Sequence, residues 1–226
     1  DLTAVLGREH NDTLTTLHNL ARCHQAAGEA AKALPMFEEA ARGVEKKRFD
    51  HPLGGMLITN VIAAHEAAGD LEKAIEWRRK LLAATSARFG AESEEHAFEL
   101  AALGGALLQR KEWSEAEKVL RECLALRSKF DPDGWTVCNT RSALGGALSG
   151  LKRFADAEPL LVQGWEGLKR HEAKLPPTAK NRLPEALDRL VELYEATGKK
   201  EEAAKWRKER EAQRTNDAAA KSKRAP

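Results

Sequence analysis

Gly28-Glu29-Ala30-Ala31-Lys32-Ala33 returns in altered form along this chain as Gly69-Asp70-Leu71-Glu72-Lys73-Ala74, Lys111-Glu112-Trp113-Ser114-Glu115-Ala116, Lys152-Arg153-Phe154-Ala155-Asp156-Ala157 and Gly198-Lys199-Lys200-Glu201-Glu202-Ala203. The closing alanines lie 41, 42, 41 and 46 residues apart. A fixed period of this size marks stacked supersecondary units, none of which can bury its apolar face alone.

The pattern around each copy is helical. Upstream of Gly28, Leu14, Leu17, Leu20, Ala21 and His24 fall at i, i+3, i+4 and i+7 spacings, which predicts a first helix (helix A) over about 13–27. Gly28 is placed to end it in the left-handed conformation. Ala33, Leu34, Phe37, Ala40 and Val44 then share one face of a second helix (helix B), over about 30–47. The later A helices begin near Leu53, Glu94, Thr136 and Leu183, and the B helices near Leu71, Trp113, Phe154 and Lys200. Phe49-Asp50-His51-Pro52, Phe89-Gly90-Ala91-Glu92 and Phe130-Asp131-Pro132-Asp133 share one linker form: an aromatic ends helix B and a polar turn follows. Residues 1–11 read as the end of a truncated upstream repeat and its linker. The array covers 12–214 in units of about 12–50, 51–91, 92–132, 133–175 and 176–214, the last entered through a longer linker with Pro176-Pro177. Pro35 and Pro159 lie two residues after the repeat alanine, inside helix B, so these helices either bend there or start later. Residues 215–226 have no apolar period and read as a disordered basic tail.

Ala, Leu, Glu, Lys and Arg dominate, and no period-2 strand is present, so the fold is all-α. The tail carries Lys221, Lys223 and Arg224 against Asp217; removing these from 37 basic and 35 acidic residues leaves 34 of each. A neutral array argues against a phosphate-tracking surface, so nucleic acid is not expected as a partner. No apolar run approaches a membrane span, and no signal peptide is recognised. Cys23, Cys123 and Cys138 are odd in number and scattered; they read as small buried hydrophobes in a reducing compartment, which predicts a cytoplasmic protein.

Unit by unit, these positions resemble the tetratricopeptide repeat. Unit one supplies Leu20, Ala21, His24, Ala30, Ala33, Phe37 and Ala40; unit three Leu103, Gly104, Leu107, Trp113, Ala116, Leu120 and Cys123; unit four Leu144, Gly145, Leu148, Phe154, Ala157, Leu161 and Gly164. Small residues let the paired helices approach, and large ones fill the gaps. Unit two departs most, with Arg78 in a bulky apolar slot and Trp77 placed to substitute for it. The forty-odd period and His10-Asn11-Asp12-Thr13-Leu14 are similar to the kinesin-light-chain-like subclass, and the last unit is similar to arrays attached to bacterial serine/threonine kinases. The resemblance implies a right-handed α-α superhelix (solenoid) of about five helix pairs.

It also implies a concave groove lined by the A helices that docks a peptide or protein segment. The matching positions are Thr15, His18, Asn19 and Arg22; Met56, Thr59, Asn60 and Ala63; Phe98, Ala101 and Gly105; Asn139, Ser142 and Gly146; and Glu185, Asp188, Glu192 and Glu195. Asn19 and Asn60 hold the slot where related arrays clamp a peptide backbone, since an amide both donates and accepts; alternatively they bond neighbouring helices. Met56 and Phe98 give an apolar centre. The acidic fifth A helix either favours a basic end on the ligand or only solvates a terminal helix. His24 is expected in the core. The histidines have no metal-ligand spacing on one helix face, and neither cofactor nor catalytic residue is recognised. Two rival readings are a self-assembly module, with weak self-association, and a regulatory or sensor module of a larger signalling protein such as a bacterial serine/threonine kinase.

Overall fold

A computed structural model describes residues 5–222, with side chains through 215. Among the described residues all regular structure is helical: ten successive α-helices and two short 3-10 turns. They are α1 (Asn11–Ala26), α2 (Ala30–Lys46), α3 (Gly54–Ala67), α4 (Leu71–Phe89), α5 (Glu94–Gln109), α6 (Trp113–Phe130), α7 (Trp135–Gly150), α8 (Phe154–Arg170), α9 (Arg182–Ala196) and α10 (Lys200–Ser222). The chain divides into two compact units between Ala106 and Leu107.

One turn recurs at the end of all five A helices, and its pair of bonds also closes α2 at Arg48-Phe49. After α1, the Gly28 N–H donates to Gln25 O (3.0 Å) and the Glu29 N–H to His24 O (2.9 Å). This pair of bonds is the Schellman motif, and it satisfies two of the carbonyls that a helix end leaves open. Gly69-Asp70, Lys111-Glu112, Lys152-Arg153 and Gly198-Lys199 repeat it at the ends of α3, α5, α7 and α9. Gly28, Gly69 and Gly198 carry the required positive φ without strain, whereas Lys111 and Lys152 sit there at 61° despite their Cβ atoms. The repeat alanine five residues after each of these positions is buried: Ala33, Ala74, Ala116, Ala157 and Ala203 are at most 2% exposed. Asp70 caps α4 by accepting from the Lys73 N–H, and the Ser93 hydroxyl accepts from the His96 N–H at the start of α5.

In the first unit α1 packs on α2, α2 on α3 and α3 on α4. Leu14, Phe37, Val44, Leu57, Ile58, Val61 and Ile62 fill the space between them. Trp77 does take the buried place that Arg78 cannot, at 6% exposure, while Arg78 turns back to make two hydrogen bonds to Glu66. Pro35 and Pro159 are exposed and lie inside helices that begin at Ala30 and Phe154, so the late-start alternative does not hold. Some expectations for the core fail. Leu20 is 47% exposed, because it points away from the α1–α2 contact. Cys23 is exposed, one residue from the same outer face, while Cys123 and Cys138 are buried. His24 is only half-buried, held at the rim by Glu29 Oε2 at 2.5 Å.

In the second unit α6 packs on α7, α7 on α8, α8 on α9 and α9 on α10. The α7–α8 approach is close enough to need glycine: a Cβ on Gly164 would lie 2.7 Å from Ser142 N and 2.9 Å from Cys138 O. The long linker before α9 is pinned by buried Leu175 and Ala179, which join Cys138, Leu168 and Leu183 in one cluster. Tyr194 is buried and donates to Glu158; burial first, then this bond, pushes its hydroxyl pKa up to about 12. The helix α10 runs to Ser222, so residues 215–222, expected to lack structure, carry helical backbone. Gln213, 4% exposed, anchors its far end by accepting from Lys169 and donating to Glu172, and the Ala218–Ala220 run favours continuation. Residues 223–226 of that tail lie outside the described residues.

Two substitutions probe this framework by urea denaturation. Lys152→Gly relieves the left-handed strain and raises stability by about 1 kcal/mol. Gly164→Ala lowers it by about 2–3 kcal/mol, because its nearest neighbours are backbone atoms that cannot step aside.

Candidate functional site

The expected ligand-binding positions fall on the A helices, and the two units present them differently. In the first unit, α1 and α3 touch through side chains. His18 is fully buried, tilted against the Phe37 ring with centroids 5.4 Å apart. Its Nε2 lies 3.1 Å from Asn60 Nδ2. Burial, and then the charge of Arg22, lowers the His18 pKa, so the ring is neutral and its Nε2 accepts from the Asn60 amide. His18 is thus a support beneath the surface rather than a surface contact. Asn60 does bond a neighbouring helix, yet its Oδ1 is left to accept from outside.

Asn19 and Arg22 are exposed on α1. Met56 is 41% exposed and Phe98 65%, both unusually open for their type. Thr59 is exposed, but its hydroxyl donates to Gly55 O within its own helix. Thr15 is half-buried beside His51, its Oγ1 3.5 Å from Nε2, and Ala101 is half-buried. Glu99, half-buried next to Phe98 on α5, has its pKa raised by burial, a shift opposed by Arg78.

In the second unit the same positions are largely occupied from within. Ser142 is fully buried and accepts from Arg189 Nη1 at 3.1 Å, so it does not face a ligand. Asn139 is half-buried, its Oδ1 without a hydrogen-bond partner. Glu185 accepts from Arg182 (2.9 Å) and Asn181 (2.7 Å) and lies 3.5 Å from Arg189. Asp188 pairs with Arg210 at 3.1 Å and Glu195 with Arg207 at 2.5 Å. Glu192 is exposed and makes no ion pair among the described residues. Most of the acidic stretch of α9 is therefore neutralised by arginines of α9 itself and of α10. Arg189, in the last unit's equivalent of the Asn19 and Asn60 slot, is only 21% exposed and turned inward. Small Ser142 and Gly146, one helical turn apart, make room for it: a Cβ on Gly146 would lie 3.0 Å from Arg189 Cδ. Among the described residues no cluster of three His, Cys, Asp or Glu could hold a metal, and no helix is long and apolar enough to cross a membrane.

Residues 2–46 and 100–129 each match a tetratricopeptide repeat family model. The chain carries tetratricopeptide repeats. Its fold is similar to that of BtubC (BKLC) from P. vanneervenii, with a TM-score of 0.68 and 19% identity over 96% of this chain and 84% of that one. It is also similar to a Podosopora anserina chain of "kinesin light chain nearly identical TPR-like repeats", with a TM-score of 0.65 and 21% identity over 96% and 99%. The apo form of RapI matches with a TM-score of 0.71 and 10% identity over 91% and 72%. At these identities the likeness is one of fold. No curated protein sequence matches the chain.

The His18–Asn60 contact carries a pH signature. The unfolded chain binds a proton at His18 near pH 6.5, and the folded repeat resists it to lower pH. Stability is complete above about pH 6.5 and falls as the pH drops from there toward the lowered folded value. Urea midpoints from pH 7.5 to 5 will therefore fall more steeply for the wild type than for His18→Gln; equal slopes would remove the assignment.

Proposed function

We propose that this chain is a protein–protein interaction scaffold and that the A-helix face of its first unit binds an extended peptide or protein segment. The observation that carries this reading is the Asn60 amide, held from below by His18, with exposed Met56 one helical turn before it on α3 and exposed Phe98 on α5. A fixed amide can pair with any peptide backbone, and exposed apolar side chains beside it give that peptide surface to bury. Asn19, exposed and free of side-chain bonds among the described residues, supplies a second amide. Rigid helices carry all of these groups, which limits the ordering cost on binding. A ligand with an apolar residue over Met56 or Phe98 fits this face. A basic end facing α9 is supported only by Glu192.

Selection of a random peptide library on the immobilised chain tests the proposal. Selected peptides are expected to bind Asn19→Ala, Asn60→Ala about tenfold more weakly, the loss of two hydrogen bonds of about 0.5–1 kcal/mol each. Equal affinity for the helical double variant rejects the amide clamp. Charge reversal by Glu192→Lys with Glu195→Lys checks the basic end separately: an unchanged affinity for basic peptides eliminates it.

A further inference from the structure

A second feature lies in the second unit and shares no residue with the A-helix positions above. Glu202, Trp206 and Glu209 recur at spacings of four and three, which puts them on one face of α10. That face borders a cleft of about 330 Å³ formed with α8 and α9. Trp165 of α8, Tyr194 of α9 and Trp206 of α10 give its lining three aromatic rings, and Glu166, Glu202 and Glu209 give it three carboxylates. The two indoles meet edge to face, with centroids 4.9 Å apart and planes at 79°, so the cleft has an aromatic corner.

Packing accounts for the rings but not for the charge around them. Trp165 rests against the cluster that holds Leu168 and Leu183, and Trp206 is 6% exposed. Glu166 and Glu209, by contrast, make no ion pair among the described residues. Lys205 is the single base on the lining and lies 3.9 Å from Glu202, so three carboxylates stand against one ammonium. The chain's own lysines show what these ring faces attract. Lys205 Nζ lies 5.2 Å from the Trp206 ring centroid, and Lys199 Nζ 5.5 Å from that of Tyr194. Neither Trp165 Nε1 nor Trp206 Nε1 has a hydrogen-bond partner, although both atoms are buried. Buried donors without an acceptor are uncommon in a finished interior, so the protein's own groups do not complete this lining.

We propose that this cleft binds a basic peptide segment by taking up one arginine side chain. The guanidinium lies against the indole faces and meets Glu166 and Glu209, while Val162 gives its aliphatic stem apolar surface. Arginine suits the site because its planar cation stacks on aromatic rings and still presents donors to carboxylates at its edge. The volume lies at the lower end of formed ligand sites, which fits one long side chain. Lys205, with its amine over the Trp206 ring, competes with the ligand for that face and repels it.

The test is an NMR titration of the isotope-labelled chain with acetyl-Ala-Arg-Ala-amide. The control peptide carries citrulline, which keeps the shape of arginine and loses its charge. Shifts are expected at the indole N–H resonances of Trp165 and Trp206 and at the amides of residues 162–166 and 202–209. The citrulline peptide binds about tenfold more weakly, and the Glu166→Gln, Glu209→Gln double variant loses about as much, the worth of a hydrogen bond to a charged group. Lys205→Ala binds severalfold more tightly; its side chain is 68% exposed, so the fold tolerates the change. Asn19→Ala, Asn60→Ala leaves this binding unchanged, so the fate of the amide clamp is read separately. An absence of shifts at millimolar peptide, equal binding of the citrulline peptide, or binding indifferent to both the glutamate and the Lys205 variants overturns the proposal.

Discussion

The turn that reverses each A helix into its B helix is the constraint on which the rest of this structure depends. Two hydrogen bonds close it, and the residue between them must take a left-handed conformation. Once closed, it brings the repeat alanine against the partner helix, where a larger side chain would hold the helices apart. The first of the two accepting carbonyls in each turn belongs to His24, His65, Leu107, Leu148 or Tyr194, the large residue of the same repeat position. Backbone geometry and side-chain packing are therefore specified by the same few residues. That the motif survives with lysine at 111 and 152 shows the helix packing outweighing a local cost of about 1–2 kcal/mol.

Within this frame the polar interior is sparse. His65 is fully buried among α2, α3 and the following turn, with Nε2 3.2 Å from Glu38 and Nδ1 3.6 Å from Asp70 and no hydrogen bond at either nitrogen. His18, between α1 and α3, instead accepts from the half-buried Asn60 amide. That difference separates a group that only holds helices together from one that also sets the pose of a side chain facing solvent. In the second unit the corresponding polar groups, Ser142 and Arg189, satisfy each other, and the carboxylates of α9 are taken up by arginines. The A-helix face of the first unit is thus the more open of the two to an external ligand.

Much of this was legible in the residues. The five alanines, the glycines at 28, 69 and 198 and the apolar spacing set the helix pairs, since these signals act over a few residues and do not depend on distant contacts. Trp77 was readable as the replacement for Arg78 because a one-residue offset on a helix keeps a large side chain near the same face. Leu20, Cys23 and His24 were misplaced because periodicity identifies a stripe but not its edges; how far the neighbouring helix reaches decides which stripe residues are covered. The continuation of α10 beyond Thr215 was hidden for a related reason, as its anchor Gln213 is polar and binds Lys169 and Glu172 more than forty residues earlier.

The sequence by itself determined the all-α class and the order and near-ends of the helices, and it singled out positions on the A helices, because each follows from local periodicity and turn chemistry. Tertiary structure decided which of those positions stay available. Whether Asn60 is poised, Ser142 is consumed or Asp188 is neutralised depends on a partner side chain brought close by packing, and no local pattern encodes that distance. The meeting of Trp165 and Trp206 at one cleft belongs to the same category, since only the packing of α8, α9 and α10 brings the two rings together.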